Sequence, residues 1–280
     1  MIEKSLVQAA YAGVLSQQKL MMALLLTGGI TLTACVTVSH GQMKVDPQAA
    51  VNTRTALAAQ YIRSGDLDAA QRSLDAALKI DPRSAEANNM MGVLLQQEGS
   101  PRNLEKAESY YKRAIFIKDD YAQARNNYGV YLTGRKRYKE AIEQFSVAGE
   151  ALGYEGRASA LENLGRTYLA LNDPKSAEQA FRQALQANRD SVIARFELAE
   201  LFLKKNQIRD ASALYNEYLR YMGAQKQGAR SLWLGIRIAR AEQDTLRMKN
   251  FINQLALDYP DSDEYKRYLQ LQQSNEAVWN

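Results

Sequence analysis

The sequence predicts an all-α chain that stacks helix–turn–helix repeats into a solenoid, and three observations carry that prediction. Alanine, leucine, glutamine and arginine are plentiful, while 280 residues hold only five prolines, a composition that favours helix along most of the chain. A pattern of small and large apolar residues recurs at nearly constant spacing, the signature of supersecondary units that bury their apolar faces only by stacking. Short runs such as "RSGD", "TGRK" and "LNDP" punctuate the pattern, and their Gly, Asn and Asp accept left-handed or capping geometry.

Residues 1–34 are expected to form an export signal. An apolar run from Leu20 to Leu32 follows Lys19. Its length suits a signal-peptide h-region and falls short of the about 20 apolar residues that cross a bilayer. Thr33 and Ala34 then place small residues before Cys35, the one cysteine in the chain. A lone cysteine can be a small buried hydrophobe or a reactive thiol. Leu32-Thr33-Ala34-Cys35, however, resembles a bacterial lipobox, and the resemblance implies that Cys35 is acylated and becomes the first residue of the mature chain. The stretch before Lys19, "MIEKSLVQAAYAGVLSQQ", carries one positive charge, Lys4, balanced by Glu3. It makes the signal longer than usual, and an upstream start codon chosen in error would explain it. Cleavage removes Lys4, Lys19 and Glu3, which takes the formal net charge from +5 to +4.

Residues 35–50, "CVTVSHGQMKVDPQAA", lack helical periodicity and are expected to form a flexible tether. The solenoid is expected over residues 51–275, in units at approximately 51–84, 85–121, 122–157, 158–191, 192–228 and 229–262. In the first unit Arg54, Leu57, Ala58 and Tyr61 are followed by Ala70, Leu74 and Ala77; in the fourth, Leu161, Leu164, Gly165 and Tyr168 are followed by Ala177, Phe181 and Ala184. The second unit repeats the pattern with Gly92, Ala107 and Tyr111 but carries three extra residues near "SPRN", expected in its internal turn. The third has Gly129, Ala141 and Phe145, and the fifth has Ala199, Ala211 and Tyr215. The sixth is degenerate, matching at Leu232, Ile252, Leu255 and Pro260. Small residues such as Gly92, Gly129, Gly165 and Ala177 let the two helices of a unit approach closely. Large ones such as Leu164, Tyr168 and Phe181 fill the seam between units. This pattern resembles the tetratricopeptide repeat, a 34-residue helix–turn–helix unit, and the resemblance implies a right-handed superhelix.

Chemistry is sparse. His40 is the single histidine, and nothing near it looks like an orienting partner for nucleophilic catalysis. One Cys and one His fall short of a zinc site. Carboxylate pairs such as Asp119/Asp120 and Asp258/Asp261 fall at unit ends, where capping is the ordinary role. The excess positive charge interleaves with acidic residues, as in "RKRYKEAIEQ", which suits a mixed helical surface better than nucleic acid. The aromatics recur at packing positions rather than forming a base-stacking platform. The expected protein has no catalytic residue, cofactor, metal, nucleic acid or small-molecule substrate.

What remains is surface. The tetratricopeptide resemblance implies that the first helix of each unit lines a concave groove that binds a partner's peptide or domain. The matching positions are Asn89, Val93, Asn126, Val130, Glu162, Arg166, Ile193, Phe196 and Glu200. Amides beside apolar residues suit an extended segment, and Phe196 is expected to act as an exposed aromatic anchor.

The lipobox, the tether, the six units and the closing "ARSLWLGIRIARAEQD…FINQLALDYPDSDEY" together resemble the PilF/PilW family of type IV pilus biogenesis lipoproteins. "NNYGVYL" and "ENLGRTYLALNDPKSAEQAF" add to the likeness. The resemblance implies a secretin pilotin: an outer-membrane lipoprotein that faces the periplasm, binds PilQ-like secretin subunits and promotes their localisation and multimerisation. Val36 and Thr37 stand where an inner-membrane retention signal would otherwise place Asp. A generic periplasmic adaptor lipoprotein, serving barrel assembly or peptidoglycan enzymes, would share these features except the closing segment.

Overall fold

A computed structural model describes residues 46–272 and residue 279. The expected signal peptide, Cys35, His40 and tether residues 35–45 lie outside the described residues. All the described helices belong to one compact unit, Val45–Asn280.

Six helix pairs follow one another: α1 (Pro47–Ser64) with α2 (Leu67–Ile80), α3 (Ala85–Glu98) with α4 (Pro101–Ile117), α5 (Ala122–Gly134) with α6 (Tyr138–Glu150), α7 (Arg157–Ala170) with α8 (Pro174–Ala187), α9 (Val192–Lys204) with α10 (Ile208–Met222), and α11 (Ala229–Ala241) with α12 (Thr245–Asp258). A thirteenth helix, α13 (Asp263–Leu271), closes the described series. The expected solenoid of helix–turn–helix repeats is the observed one.

The sequence starts these helices with standard chemistry. The side chains of Asp66, Ser84, Asp173 and Ser191 each accept a hydrogen bond from a backbone N–H in the first turn, satisfying a donor that the helix itself cannot pair. Pro47, Pro101 and Pro174 open their helices, where a missing N–H costs nothing. Because Asp46 caps α1, residues 47–50 are helical. The expected tether therefore overran the solenoid, whose first turn holds no apolar periodicity to announce it.

Each turn inside a pair contains one residue of positive φ: Gly65, Gly99, Lys136, Asn172, Asn206 and Gln243. In five of the six turns the next residue's N–H reaches back to close a helix-ending motif, as in Asp173 N to Tyr168 O at 2.9 Å. The three extra residues of the second unit do not enlarge its turn. They lengthen α4 to 17 residues, where α2 has 14, because Ser100 and Pro101 restart the helix immediately after Gly99.

Packing inside each pair is set by the small residues. A Cβ built on Gly92 would lie 2.7 Å from the Tyr111 ring, one on Gly129 2.6 Å from Phe145, and one on Gly165 2.6 Å from Phe181. Only a glycine leaves room for an aromatic at that depth. The core runs from Ala58 through Tyr111, Tyr128, Phe145 and Phe181 to Leu201. A second cluster centres on α9 to α12 and includes Trp279.

The first helix of the sixth pair, degenerate in sequence, is buried along most of its length. Every residue of α11 from Ser231 to Ala239 is buried, as expected of a helix covered on more than one side. Helix α13 packs against α11, so the apolar "SLWLGI" run has partners all round.

Candidate partner-binding groove

Successive first helices touch: α1 with α3, α3 with α5, α5 with α7, and α9 with α11. The second helices instead pack mainly on the helices of their own and the next pair. The first helices therefore form the inner layer, and their remaining exposed side chains face the groove.

Crowding on that inner layer decides which expected groove residues stay available. Asn89 and Asn126 are buried, with 1% and 8% exposure. Asn127 Nδ2 donates to Asn89 Oδ1 at 3.1 Å, and Asn163 Nδ2 donates to Asn126 Oδ1 at 3.2 Å. Glu162 is buried too and accepts a hydrogen bond from Ser191 Oγ at 2.5 Å. Glu200 pairs with Arg237 at 3.1 Å. These four residues, expected to meet a partner directly, instead tie each unit to the next, because neighbouring first helices approach closely at the inner radius. The accessible amides of the ladder are Asn127 and Asn163.

Among the concavities along the inner layer, two gather apolar residues expected in the groove. One, of about 260 Å³, is lined by Val93, Gln96, Gln97, Tyr111, Asn127 and Val130. It brings the expected Val93 and Val130 together, with Val130 exposed. The other, of about 280 Å³, is floored by Phe196, Tyr218 and Met222, with Ile193, Arg166 and Arg230 around them.

Phe196 is not the exposed anchor the sequence suggested. It is 8% exposed, its ring lies 5.3 Å from that of Tyr218, and the Arg230 guanidinium sits 4.6 Å above it. The position faces the groove, but α10 and Arg230 fill in around it. Phe196 thus forms the floor against which a ligand would rest, while Ile193 and Arg166 form the reachable wall.

Electrostatics at this pocket centre on Glu197, whose side chain is 3% exposed. Arg230 grips it through two hydrogen bonds, at 3.0 and 2.8 Å, and Arg166 approaches to 3.5 Å. Burial alone would lower the Arg230 pKa, but Glu197 and Glu200 outweigh it and hold the guanidinium more firmly protonated. Arg166 and Arg230 share the buried Glu197 carboxylate, and Arg230 also reaches Glu200 at 3.7 Å. Sequence reading missed Arg230, Arg237 and Glu197. The available signal was their spacing: Arg230 and Arg237 stand two turns apart on one face of a largely apolar helix.

Comparison with known proteins places this architecture. Three tetratricopeptide-repeat family models match residues 55–122, 120–190 and 168–230. The type IV pilus assembly protein PilF of Pseudomonas aeruginosa is 32% identical over 249 residues, covering 88% of this chain and 96% of that protein. The chain belongs to the PilF family of type IV pilus assembly proteins. A solved structure from the functional characterization of Pseudomonas aeruginosa PilF superposes with a TM-score of 0.75 at 31% identity, covering 80% of this chain and 98% of that one. The crystal structure of PilW, described as a widely conserved type IV pilus biogenesis factor, gives 0.66 at 29% identity, covering 78% and 98%. The PilF-family fold is thus shared along nearly the whole of both solved chains. Among the described residues no helix is long and apolar enough to cross a membrane.

Proposed function

We propose that this chain is a non-enzymatic pilotin of type IV pilus biogenesis, held at the outer membrane by acylated Cys35 and facing the periplasm, where it binds PilQ-like secretin subunits. The observation that carries the reading is the open apolar pocket of Ile193, Phe196 and Tyr218 between Arg166 and Arg230, on the inner layer of a PilF-family solenoid. A pocket with an apolar floor and cationic flanks suits an extended segment that presents an apolar side chain. The lipobox supports the anchor: each buried methylene contributes about 0.8 kcal/mol, and more than one acyl chain makes attachment stable. A subunit bound to an anchored carrier is concentrated at the membrane, which promotes assembly without new contacts between subunits.

The experiment is a pull-down of secretin from solubilised outer membrane with wild-type protein and with Ile193→Asp. Ile193 is partly exposed, so the substitution should lower capture by about tenfold while the helical circular dichroism stays intact. Unchanged capture by a folded Ile193→Asp protein would move the interface off this pocket.

A further inference from the structure

One side chain already sits in the inner layer as a ligand would. Trp279 is 1% exposed. Its ring stacks on Trp233 of α11, with centroids 6.0 Å apart and planes 12° apart. Tyr268 of α13 tilts against it at 6.1 Å, and the Arg240 guanidinium lies 4.1 Å from the ring centre. Arg237 Nε donates to the main-chain carbonyl of Trp279. An aromatic slot for one side chain, beside a donor for the adjacent backbone carbonyl, is how a groove reads an extended peptide.

The fit is incomplete in an informative way. Arg237 Nη2 and Trp279 Nε1 are buried donors with no hydrogen-bond partner among the described residues. Native packing seldom leaves such groups bare. Beside the slot lies a pocket of about 340 Å³ that shares Trp233 and Arg237 with it and is lined by Lys204, Arg230 and Arg267 together with the carboxylates of Glu200, Asp263 and Glu264. A carboxylate on a neighbouring residue of the occupant would give Arg237 its acceptor there, and a phenyl ring in place of the indole would remove the second bare donor.

We propose that this slot on α11 is a recognition site for an extended peptide bearing an aromatic side chain next to a carboxylate, and that Trp279 occupies it in cis. The site lies one unit beyond the Ile193 pocket and does not depend on the pilus reading, since its test needs only purified protein. The test is fluorescence anisotropy of labelled peptides against wild-type chain and Trp279→Ala. The first peptide is the chain's own residues 272–280, QQSNEAVWN; the second carries Ala in place of the Trp, and the third carries Phe-Asp in place of Trp-Asn. Trp279→Ala should bind the first peptide saturably and the wild type about tenfold more weakly, because its slot is filled for most of the time. The Ala peptide should not bind, and the Phe-Asp peptide should bind at least as tightly as the first. Equal binding by the two proteins, or none by folded Trp279→Ala, overturns the site. Weaker binding of the Phe-Asp peptide overturns the carboxylate assignment. Loss of helical signal in Trp279→Ala makes Trp279 a core residue and overturns the proposal outright.

Discussion

Replacing Glu108 with Gln should reveal how much one carboxylate contributes to coupling the second and third units. Glu108 projects from α4 and accepts hydrogen bonds from Arg137 at 2.8 Å on each oxygen and from the Tyr128 hydroxyl at 2.9 Å; Lys112 lies 2.8 Å away. Tyr128 belongs to α5 and Arg137 to the turn after it, so one side chain bridges two units. Burial would raise the Glu108 carboxyl, but hydrogen bonds from Lys112, Arg137 and Tyr128 outweigh it and bring it from 4.5 to about 2. A shift of that size corresponds to about 3 kcal/mol if nothing screens it. The partners are partly wet, with Lys112 60% and Arg137 32% exposed, so about 1–2 kcal/mol is the realistic contribution. In a domain of this size that lowers the melting midpoint by roughly 3–6 °C. A carboxyl whose pKa is depressed by folding stabilises above its unfolded value and loses that effect as pH falls through its folded value. The gap between wild type and Glu108→Gln should therefore be full at neutral pH, begin to close below 4.5 and vanish near 2. Thermal melts followed by circular dichroism across that range measure it. Equal midpoints at neutral pH, or a gap that survives at the acid end, would refute the reasoning.

Gly165→Ala drives a methyl to 2.6 Å from the Phe181 ring and should destabilise by about 1–3 kcal/mol; an unchanged melt would mean the pair relaxes freely. Lys136 holds a φ of 59°, so Lys136→Gly should relieve left-handed strain and stabilise by about 0.5–1 kcal/mol net of glycine's added chain entropy. A lower midpoint for that variant would contradict the turn geometry. Cys35→Ala should remove fatty-acid labelling and release the protein from the outer-membrane fraction; continued sedimentation with that fraction would argue against the anchor.

The fold was legible because its determinants are local and repeated. Gly165 and Phe181, Ala177 and Ala184 occupy the same offsets as their counterparts in other units, and each offset follows from how closely two helices can approach. The groove was less legible, for reasons that particular residues show. Adjacent amides such as Asn126 and Asn127 stand about 100° apart around α5, and which one is buried against a neighbouring unit depends on the rotation between units, a quantity no single repeat contains. Asn126 went inward and Asn127 stayed reachable. Phe196 lay on the predicted face but was covered by Tyr218 and Arg230, contacts made across 22 and 34 positions of chain. The burial of α11 was also hidden, because what covers it comes from Tyr268 and Trp279, beyond the last repeat.

The proposed pilotin role is to carry secretin subunits to the outer membrane and favour their assembly. It is tested most directly by deleting the gene and quantifying secretin multimers in outer-membrane fractions, with surface pili counted in parallel. Deletion should leave monomeric secretin and no pili, both restored by wild-type protein; secretin multimers persisting at wild-type levels would contradict the pilotin role.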